Sequence, residues 1–185
     1  MSLRTLFVMD PLDRLDLSGD STYMQMKDAQ SRGWPVFTCV PGELFSAAGC
    51  AWVRTRSVQI GDSDPVFRCG PDQDLPLSQF DVVWMRKDPP FNMDYIFTTY
   101  LLEQVPKRTL VLNDPAGIRD SNEKMVALRW PEFCPQTLVT REIQRAMDFA
   151  AEAEGKIVIK PWDGNGGRGV LVSRHGDPNL RSMLE

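Results

Sequence analysis

Three short apolar runs in this chain each end abruptly in polar residues and proline. They cover residues 3–9 before Asp10-Pro11, residues 81–85 before Arg86-Lys87-Asp88-Pro89-Pro90, and residues 109–112 before Asn113-Asp114-Pro115. Apolar runs of this length, bounded by turn residues, are typical of buried strands. Helical patterns at residues 21–32 and 93–105 alternate with them. Strands that alternate with helices favour an α/β domain with an open, mostly parallel sheet.

The pattern changes near residue 120, where a second unit of α+β character begins. It is predicted to contain helices at 121–129 and 142–153, a short strand at 136–140, and a strand, glycine loop and strand from 156 to 173. In the first unit, two further strands are expected at 35–40 and 51–60. Residues 62–76 are rich in Asp, Pro and Gly, which predicts a loop.

Composition excludes several classes of function. The formal net charge of −4 provides no general attraction to nucleic acid or to an anionic membrane. No apolar run approaches the roughly 20 residues of a membrane-spanning helix, and the N-terminus lacks a signal-peptide pattern. The four cysteines are not paired at short spacing, which argues against a zinc knuckle and favours reduced thiols. The single histidine, His175, lies in a predicted turn and is expected at the surface.

The glycine loop is the motif most suggestive of chemistry. Gly164-Asn165-Gly166-Gly167-Arg168-Gly169 matches G-x-G-x-x-G, but a predicted strand follows it, whereas a dinucleotide site requires a helix there. A glycine loop between two strands can instead offer backbone N–H groups to phosphates. Residues 156–160 alternate, so Lys160 is expected opposite the core-facing isoleucines and beside the loop. A β-hairpin with a surface turn and a solvated Lys160 also fits these residues.

Two further groups of polar residues are explained either by ligand binding or by ordinary exposure at the protein surface. Lys124 is at a predicted helix start, and by position alone it reads as a solvent-facing lysine. The polar residues Asp10, Arg86-Lys87-Asp88 and Asn113-Asp114 follow predicted parallel strands, whose carboxyl ends bind ligands in open α/β sheets. Arg86 can pair there with a substrate carboxylate. Ordinary loop polarity with proline turns explains the same residues.

Six segments together resemble prokaryotic-type glutathione synthetases, which are ATP-grasp ligases. The most specific of them is Arg86-Lys87-Asp88-Pro89-Pro90-Phe91, while many ATP-grasp proteins share the glycine loop. The other segments lie at residues 8–11, 119–124, 137–141, 159–167 and 176–180. They occur in order across essentially the whole chain.

The resemblance implies a fold and a reaction. Residues 1–120 would be the Rossmann-like domain that precedes an ATP-grasp module, serving substrate binding and oligomerisation, and residues 121–185 the first, incomplete part of that module. Family members join γ-glutamylcysteine to glycine with ATP and Mg²⁺, or Mn²⁺, through an acyl phosphate. The resemblance further implies a cytoplasmic homo-oligomer whose partners are small molecules, with no nucleic acid and no membrane. Another ATP-grasp carboxylate–amine ligase, or a non-catalytic nucleotide-binding or assembly module, is the alternative.

Site residues carry over from the family by position. Lys124 and Lys160 match its two ATP-contacting lysines, and Gly164, Asn165, Gly166, Gly167 and Gly169 match its phosphate-covering loop. Arg86, with Asp10, is expected near the peptide substrate. The family's magnesium ligands are expected downstream of Glu185, and no catalytic residue is assigned within residues 1–185. This polypeptide by itself is therefore expected to lack ligase activity.

Overall fold

A computed structural model describes residues 2–164 and 166–185. The chain forms two compact units, residues 1–120 and residues 121–185. Within the described ranges, no helix combines the length and the apolar character needed to cross a bilayer.

The first unit contains eight strands and three α-helices among its described residues. The strands are Thr5–Val8 (β1), Val36–Cys39 (β2), Leu44–Ala47 (β3), Cys50–Ile60 (β4), Phe67–Cys69 (β5), Gln73–Pro76 (β6), Val82–Met85 (β7) and Leu110–Leu112 (β8). The helices are Ser21–Ser31 (α1), Met93–Glu103 (α2) and Pro115–Asp120 (α3).

Four parallel strands form the centre of the sheet, in the order β2-β1-β7-β8. The long strand β4 continues the sheet antiparallel to β2, and β3, β5 and β6 pair with β4. This arrangement confirms the predicted α/β class with an open, mostly parallel sheet. Because the central strands are parallel, their carboxyl ends meet at one edge.

Strand β1 lies at the heart of this unit. Its side chains alternate between two apolar clusters on opposite faces of the sheet: Leu6 and Val8 join one cluster, and Phe7, with Met9 directly after the strand, joins the other. All four are almost fully buried. Burial of each such side chain contributes roughly 1.5–3 kcal/mol, so this strand strongly specifies the sheet.

Helix α1 begins and ends at residues that the sequence marks clearly. The Asp20 carboxylate accepts hydrogen bonds from the N–H groups of Thr22 and Tyr23, which would otherwise lack partners in the first turn. Gly33 follows the helix with φ of +72°, a conformation that glycine adopts without strain. The helix buries Met26 in the second cluster.

The loop prediction for residues 62–76 was wrong in part, because β5 and β6 lie within it. Asp, Pro and Gly, which are rare in strands, dominate this stretch, but both strands pair with β4, which supplies their backbone hydrogen bonds. Asp72, between them, also pairs with Arg54 and Arg56 of β4. Strand β3 and helix α3 were not predicted.

The second unit has two α-helices and two strands among its described residues. They are Ile143–Glu152 (α4), Lys156–Ile159 (β9), Leu171–Arg174 (β10) and Leu180–Leu184 (α5). Strands β9 and β10 form an antiparallel hairpin. A small core of Ala150, Ile157 and Leu180 joins both helices to this hairpin.

Two predictions in this unit were wrong. Residues 123–125 form a turn and Val126–Arg129 a 3-10 helix, where an α-helix was expected. Residues 136–140 have no strand. Pro131 begins another 3-10 turn directly after Trp130, so a regular helix has no room to extend, because proline lacks the N–H that the helix needs.

Candidate functional site

The connection between β9 and β10 carries the glycine motif. Ile157 of β9 is buried, while Val158 and Lys160 are exposed, as strand alternation requires. Lys160 forms no hydrogen bond or ion pair with the residues that the structure describes. Its ammonium group is therefore available at the start of the glycine segment.

The described glycines of the motif have two different roles. Gly164 and Gly169 approach Pro161 so closely that an added Cβ would lie 2.5 Å and 2.9 Å from its Cγ. Gly166 and Gly167 have φ values of +56° and +76°, with open space around the Cβ position. Asn165, a predicted site residue, lies outside the described residues.

Lys124 reaches the glycine segment from a different part of the second unit. Its Nζ donates a hydrogen bond to the Gly164 carbonyl oxygen at 2.6 Å, and it pairs with Glu123 Oε1 at 2.7 Å. The Asn122 carboxamide oxygen accepts from the Lys124 N–H and fixes the turn. The hydrogen bond from Lys124 lowers the pKa of the Glu123 carboxyl. The structure thus brings Lys124 and Gly164 together, although 40 residues separate them.

An exposed apolar face adjoins Lys160. Val158 and Val172 are directly opposite each other in the hairpin register, and their exposed fractions are 55% and 58%. Because alternate residues of a strand share a face, Lys160 and Val158 are on the same side. Sequence reasoning did not select Val172. The period-2 alternation in both strands was the signal that could have found it.

In the first unit, Asp10 and Arg86 follow the neighbouring parallel strands β1 and β7, where Val8 is in register with Met85. The Asp10 carboxylate pairs with Lys87 Nζ at 3.1 Å and accepts the Asp88 N–H at 3.1 Å. Asp10 thus has Lys87 as its partner, a residue of the polar segment after β7 to which the sequence assigned no individual role.

The Arg86 side chain contacts helix α1, not Asp10. Its guanidinium donates to Thr22 Oγ1 at 3.1 Å and to Ser21 Oγ at 2.7 Å, in the first turn of that helix. Burial raises the pKa of the nearby Tyr95 phenol, and the positive charge of Arg86 partly offsets this rise. Asp114, after β8, instead accepts the Gly117 N–H at 2.7 Å and stabilises the start of α3.

The strand order identifies a crevice. From β1 the chain passes to β2 on one side, whereas β7 and β8 lie on the other, so the order reverses between β1 and β7. In open α/β sheets, ligands bind outside the carboxyl ends of the strands at such a point. Asp10 and Arg86 follow the two strands that flank it.

A metal centre is not formed by residues 2–164 and 166–185. No group of three or more His, Cys, Asp or Glu side chains there is arranged to hold a metal ion.

Two family models match the chain. One, described as the N-terminal domain of prokaryotic glutathione synthetase, matches residues 3–119. The other, described as the ATP-grasp domain of prokaryotic glutathione synthetase, matches residues 123–185.

Curated relatives agree with these matches. Glutathione synthetase from Pseudomonas syringae pv. tomato is 41% identical over 187 residues, covering 100% of this chain and 58% of the relative. The protein of the same name from Yersinia pestis is 40% identical, covering 96% of this chain and 56% of the relative. The glutathione synthetase from Thermosynechococcus vestitus is 40% identical, covering 97% of this chain and 59% of the relative. The chain therefore spans less than three-fifths of the length of these relatives. Because the two family models match nearly all of its residues, the chain belongs to the prokaryotic glutathione synthetase family.

Proposed function

We propose that this protein takes part in the ATP-dependent ligation of γ-L-glutamyl-L-cysteine to glycine. In this reaction the cysteinyl carboxylate oxygen attacks the γ-phosphorus of ATP, and ADP leaves. The glycine amine then attacks the acyl carbon of the resulting acyl phosphate, phosphate leaves, and the nitrogen loses a proton. The family membership supports this ligase chemistry, and the role of residues 1–185 within it follows from the two sites described above.

Residues 121–185 bind the polyphosphate of ATP in this proposal. The observation that carries it is the contact between Lys124 Nζ and the Gly164 carbonyl oxygen, which sets a cation against the glycine segment. Lys160 provides a second cation, and Gly166, Gly167 and Gly169 expose the backbone for close approach. Charge-assisted contacts of this kind are the strongest hydrogen bonds to phosphate. Asn165 belongs to the same proposed segment.

The adenine ring has a fitting surface in the same hairpin. Val158 and Val172 present apolar side chains beside Lys160, so a planar base can cover them while its phosphates lie toward the lysines. Covering exposed apolar surface is favourable by roughly 25 cal/mol per Å².

The first unit binds the dipeptide at the crevice between β1 and β7. Arg86 keeps guanidinium donors beyond those used by Ser21 and Thr22, and they can take a substrate carboxylate. Asp10 and its ion-pair partner Lys87 add further polar groups at the same edge of the sheet. We also propose that the protein acts as a cytoplasmic homo-oligomer, for which the family resemblance is the support.

We propose Mg²⁺, or Mn²⁺ in its place, as the ion that accompanies ATP, because a divalent cation neutralises phosphate charge. The described residues do not form a site for this ion, so no step is assigned through protein ligands in this chain.

ATP affinity tests the proposal. Isothermal titration calorimetry of the 185-residue protein should show binding that Lys124→Ala and Lys160→Ala each weaken about 10-fold, the loss expected for one charge-assisted contact. Lys107→Ala, which removes an exposed lysine of the first unit, should leave the affinity unchanged. Absence of ATP binding, or equal affinities for all three variants, would contradict the proposed ATP site.

A further inference from the structure

The Lys124 ammonium group has a carboxylate as well as a backbone carbonyl for a partner. Its Nζ lies 2.7 Å from Glu123 Oε1 and 2.6 Å from the Gly164 carbonyl oxygen. An ammonium group has three N–H donors, so these two contacts leave one donor free. The cation that we assign to phosphate is thus already engaged by two acceptors of the protein itself.

The two members of this ion pair differ in exposure. The Lys124 side chain is 21% exposed, whereas that of Glu123 is 69% exposed. The Asn122 carboxamide oxygen accepts the Lys124 N–H, which fixes the backbone of the lysine without help from Glu123. The Glu123 carboxylate can therefore turn into solvent at the cost of one exposed ion pair, while Lys124 stays beside Gly164.

The carboxylate is charged when it contacts the lysine. The hydrogen bond from Lys124 is the main cause that lowers the pKa of the Glu123 carboxyl below its usual 4.5. Near neutral pH the group is therefore fully ionised. An anionic ligand that approaches Lys124 meets this negative charge first.

A phosphate oxygen on the remaining N–H of Lys124 would come close to the carboxylate. Two acceptors on one ammonium group, each about 2.8 Å from the nitrogen, lie roughly 4.5 Å apart. Two unit negative charges at that distance oppose binding by about 5-fold even at the dielectric constant of water. The phosphate gains the full attraction of Lys124 only after Glu123 has moved away.

We propose that Glu123 is a positioning residue that occupies Lys124 in the nucleotide-free protein and gives up its place to the polyphosphate of ATP. It keeps the ammonium group beside the glycine segment until a nucleotide arrives. Because the exchange opposes binding of phosphate, Glu123 also sets how strongly affinity rises with the number of phosphates. The inference rests on the proposed function, which assigns the polyphosphate to Lys124.

Nucleotide affinity measures this exchange. Titration calorimetry of the 185-residue protein should show ATP binding about 5-fold more tightly to Glu123→Gln than to the wild type. AMP, which lacks the β- and γ-phosphates, should bind both proteins equally. Damage to the local structure would weaken ATP binding, so a gain in affinity is specific to the exchange. Unchanged or weaker ATP binding by Glu123→Gln would overturn the inference.

A double-mutant cycle shows whether Glu123 acts through Lys124. Glu123→Gln should increase ATP affinity in the wild-type background and have no effect in the Lys124→Ala background. An equal gain in both backgrounds would reveal a general effect of surface charge and would contradict the proposed exchange. The matched control is Glu142→Gln, which removes a carboxylate from the exposed ion pair with Arg145 in the same unit and should leave ATP affinity unchanged.

Amine labelling tests the ion pair without nucleotide. Brief acetylation at pH 8, followed by mass spectrometry, should modify Lys124 about 3-fold faster in Glu123→Gln than in the wild type, the change expected for loss of an exposed ion pair. The exposed Lys160 is the internal reference and should react equally in both proteins. Equal labelling of Lys124 in the two proteins would show that the pair does not form, and the inference would fail.

These measurements separate this inference from the proposed function. If Lys124→Ala weakens ATP binding while Glu123→Gln changes neither affinity nor labelling, the ATP site stands and the role of Glu123 is wrong. If neither the wild type nor any variant binds ATP, the proposed function fails, and the exchange at Lys124 fails with it.

Discussion

Pro161 and Gly164 approach each other so closely that there is no room for a side chain between them. A Cβ atom on Gly164 would lie 2.5 Å from Pro161 Cγ and 2.9 Å from the Arg168 carbonyl oxygen. The same glycine presents its own carbonyl to Lys124. The close packing and the lysine contact therefore depend on one backbone position.

Gly164→Ala should destabilise the second unit by about 1–3 kcal/mol, because the ring and a backbone carbonyl must both move. Displacing the Gly164 carbonyl should also weaken ATP binding. Urea unfolding measures the first effect and calorimetry the second. Gly42→Ala is the control, since open space surrounds its Cβ position. Equal stability of both variants would show that the segment relaxes freely.

Asp10→Asn should destabilise the first unit by about 1–2 kcal/mol. The substitution removes a carboxylate that pairs with Lys87 and accepts the Asp88 N–H, and both charged side chains are only 22% exposed. The urea midpoint, followed by tryptophan fluorescence, reports the change. Asp62→Asn breaks the well-exposed pair with Lys27 and should leave the midpoint unchanged. A similar small effect of both substitutions would contradict the structural role of Asp10.

Cys39 should be unreactive in the native protein, unlike Cys50 and Cys69. Burial raises the pKa of the Cys39 thiol well above its usual value, and the negative charge of Glu43 raises it further. The other two thiols are exposed. A thiol reagent at pH 8 should label Cys50 and Cys69 within minutes and Cys39 only after unfolding in urea. Mass spectrometry that finds native Cys39 labelled as fast as Cys50 would disprove this.

Asp177 should make the stability of the second unit depend on acid pH. Hydrogen bonds from the Asn179 N–H and the Ser173 hydroxyl lower the pKa of its carboxyl below the usual 3.8. A carboxyl with a lowered native pKa contributes stability that is complete above the unfolded value and is lost as pH falls through the native one. Unfolding between pH 6 and pH 2.5 should therefore show a smaller acid loss in Asp177→Asn. Glu154→Gln, at an exposed carboxylate, should follow the wild type.

Several local features were predictable from sequence because neighbouring residues determine them. The run before Asp10 becomes β1, the run before Arg86 becomes β7, and alternation places Ile157 inward and Lys160 outward. Predictions failed where distant partners outweighed local preference. Strands β5 and β6 exist because β4 offers them an edge, and the helix expected from residue 121 is replaced by turns.

At the candidate site, too, a contact between residues far apart in the chain could not be predicted from local sequence, as Lys124 shows. By its place in the chain it reads as a solvent-facing lysine, yet the fold carries it to the Gly164 carbonyl. Its role as an ATP ligand stays a prediction, as do those of Lys160, Arg86 and Asp10. That Thr38 and Arg56 are neighbours was not predicted, because those two residues meet only through the antiparallel pairing of β2 with β4.

By itself, the sequence determined that the apolar runs before Asp10, Arg86 and Asn113 become strands of the sheet and that polar residues and proline end each of them. These properties follow from hydrophobic periodicity and from steric limits that act over a few residues. Only the tertiary structure decided the partners of the polar side chains, among them Lys87 for Asp10 and Arg56 beside Thr38. Those pairings depend on the order of strands in the sheet, which brings together residues that are far apart along the chain.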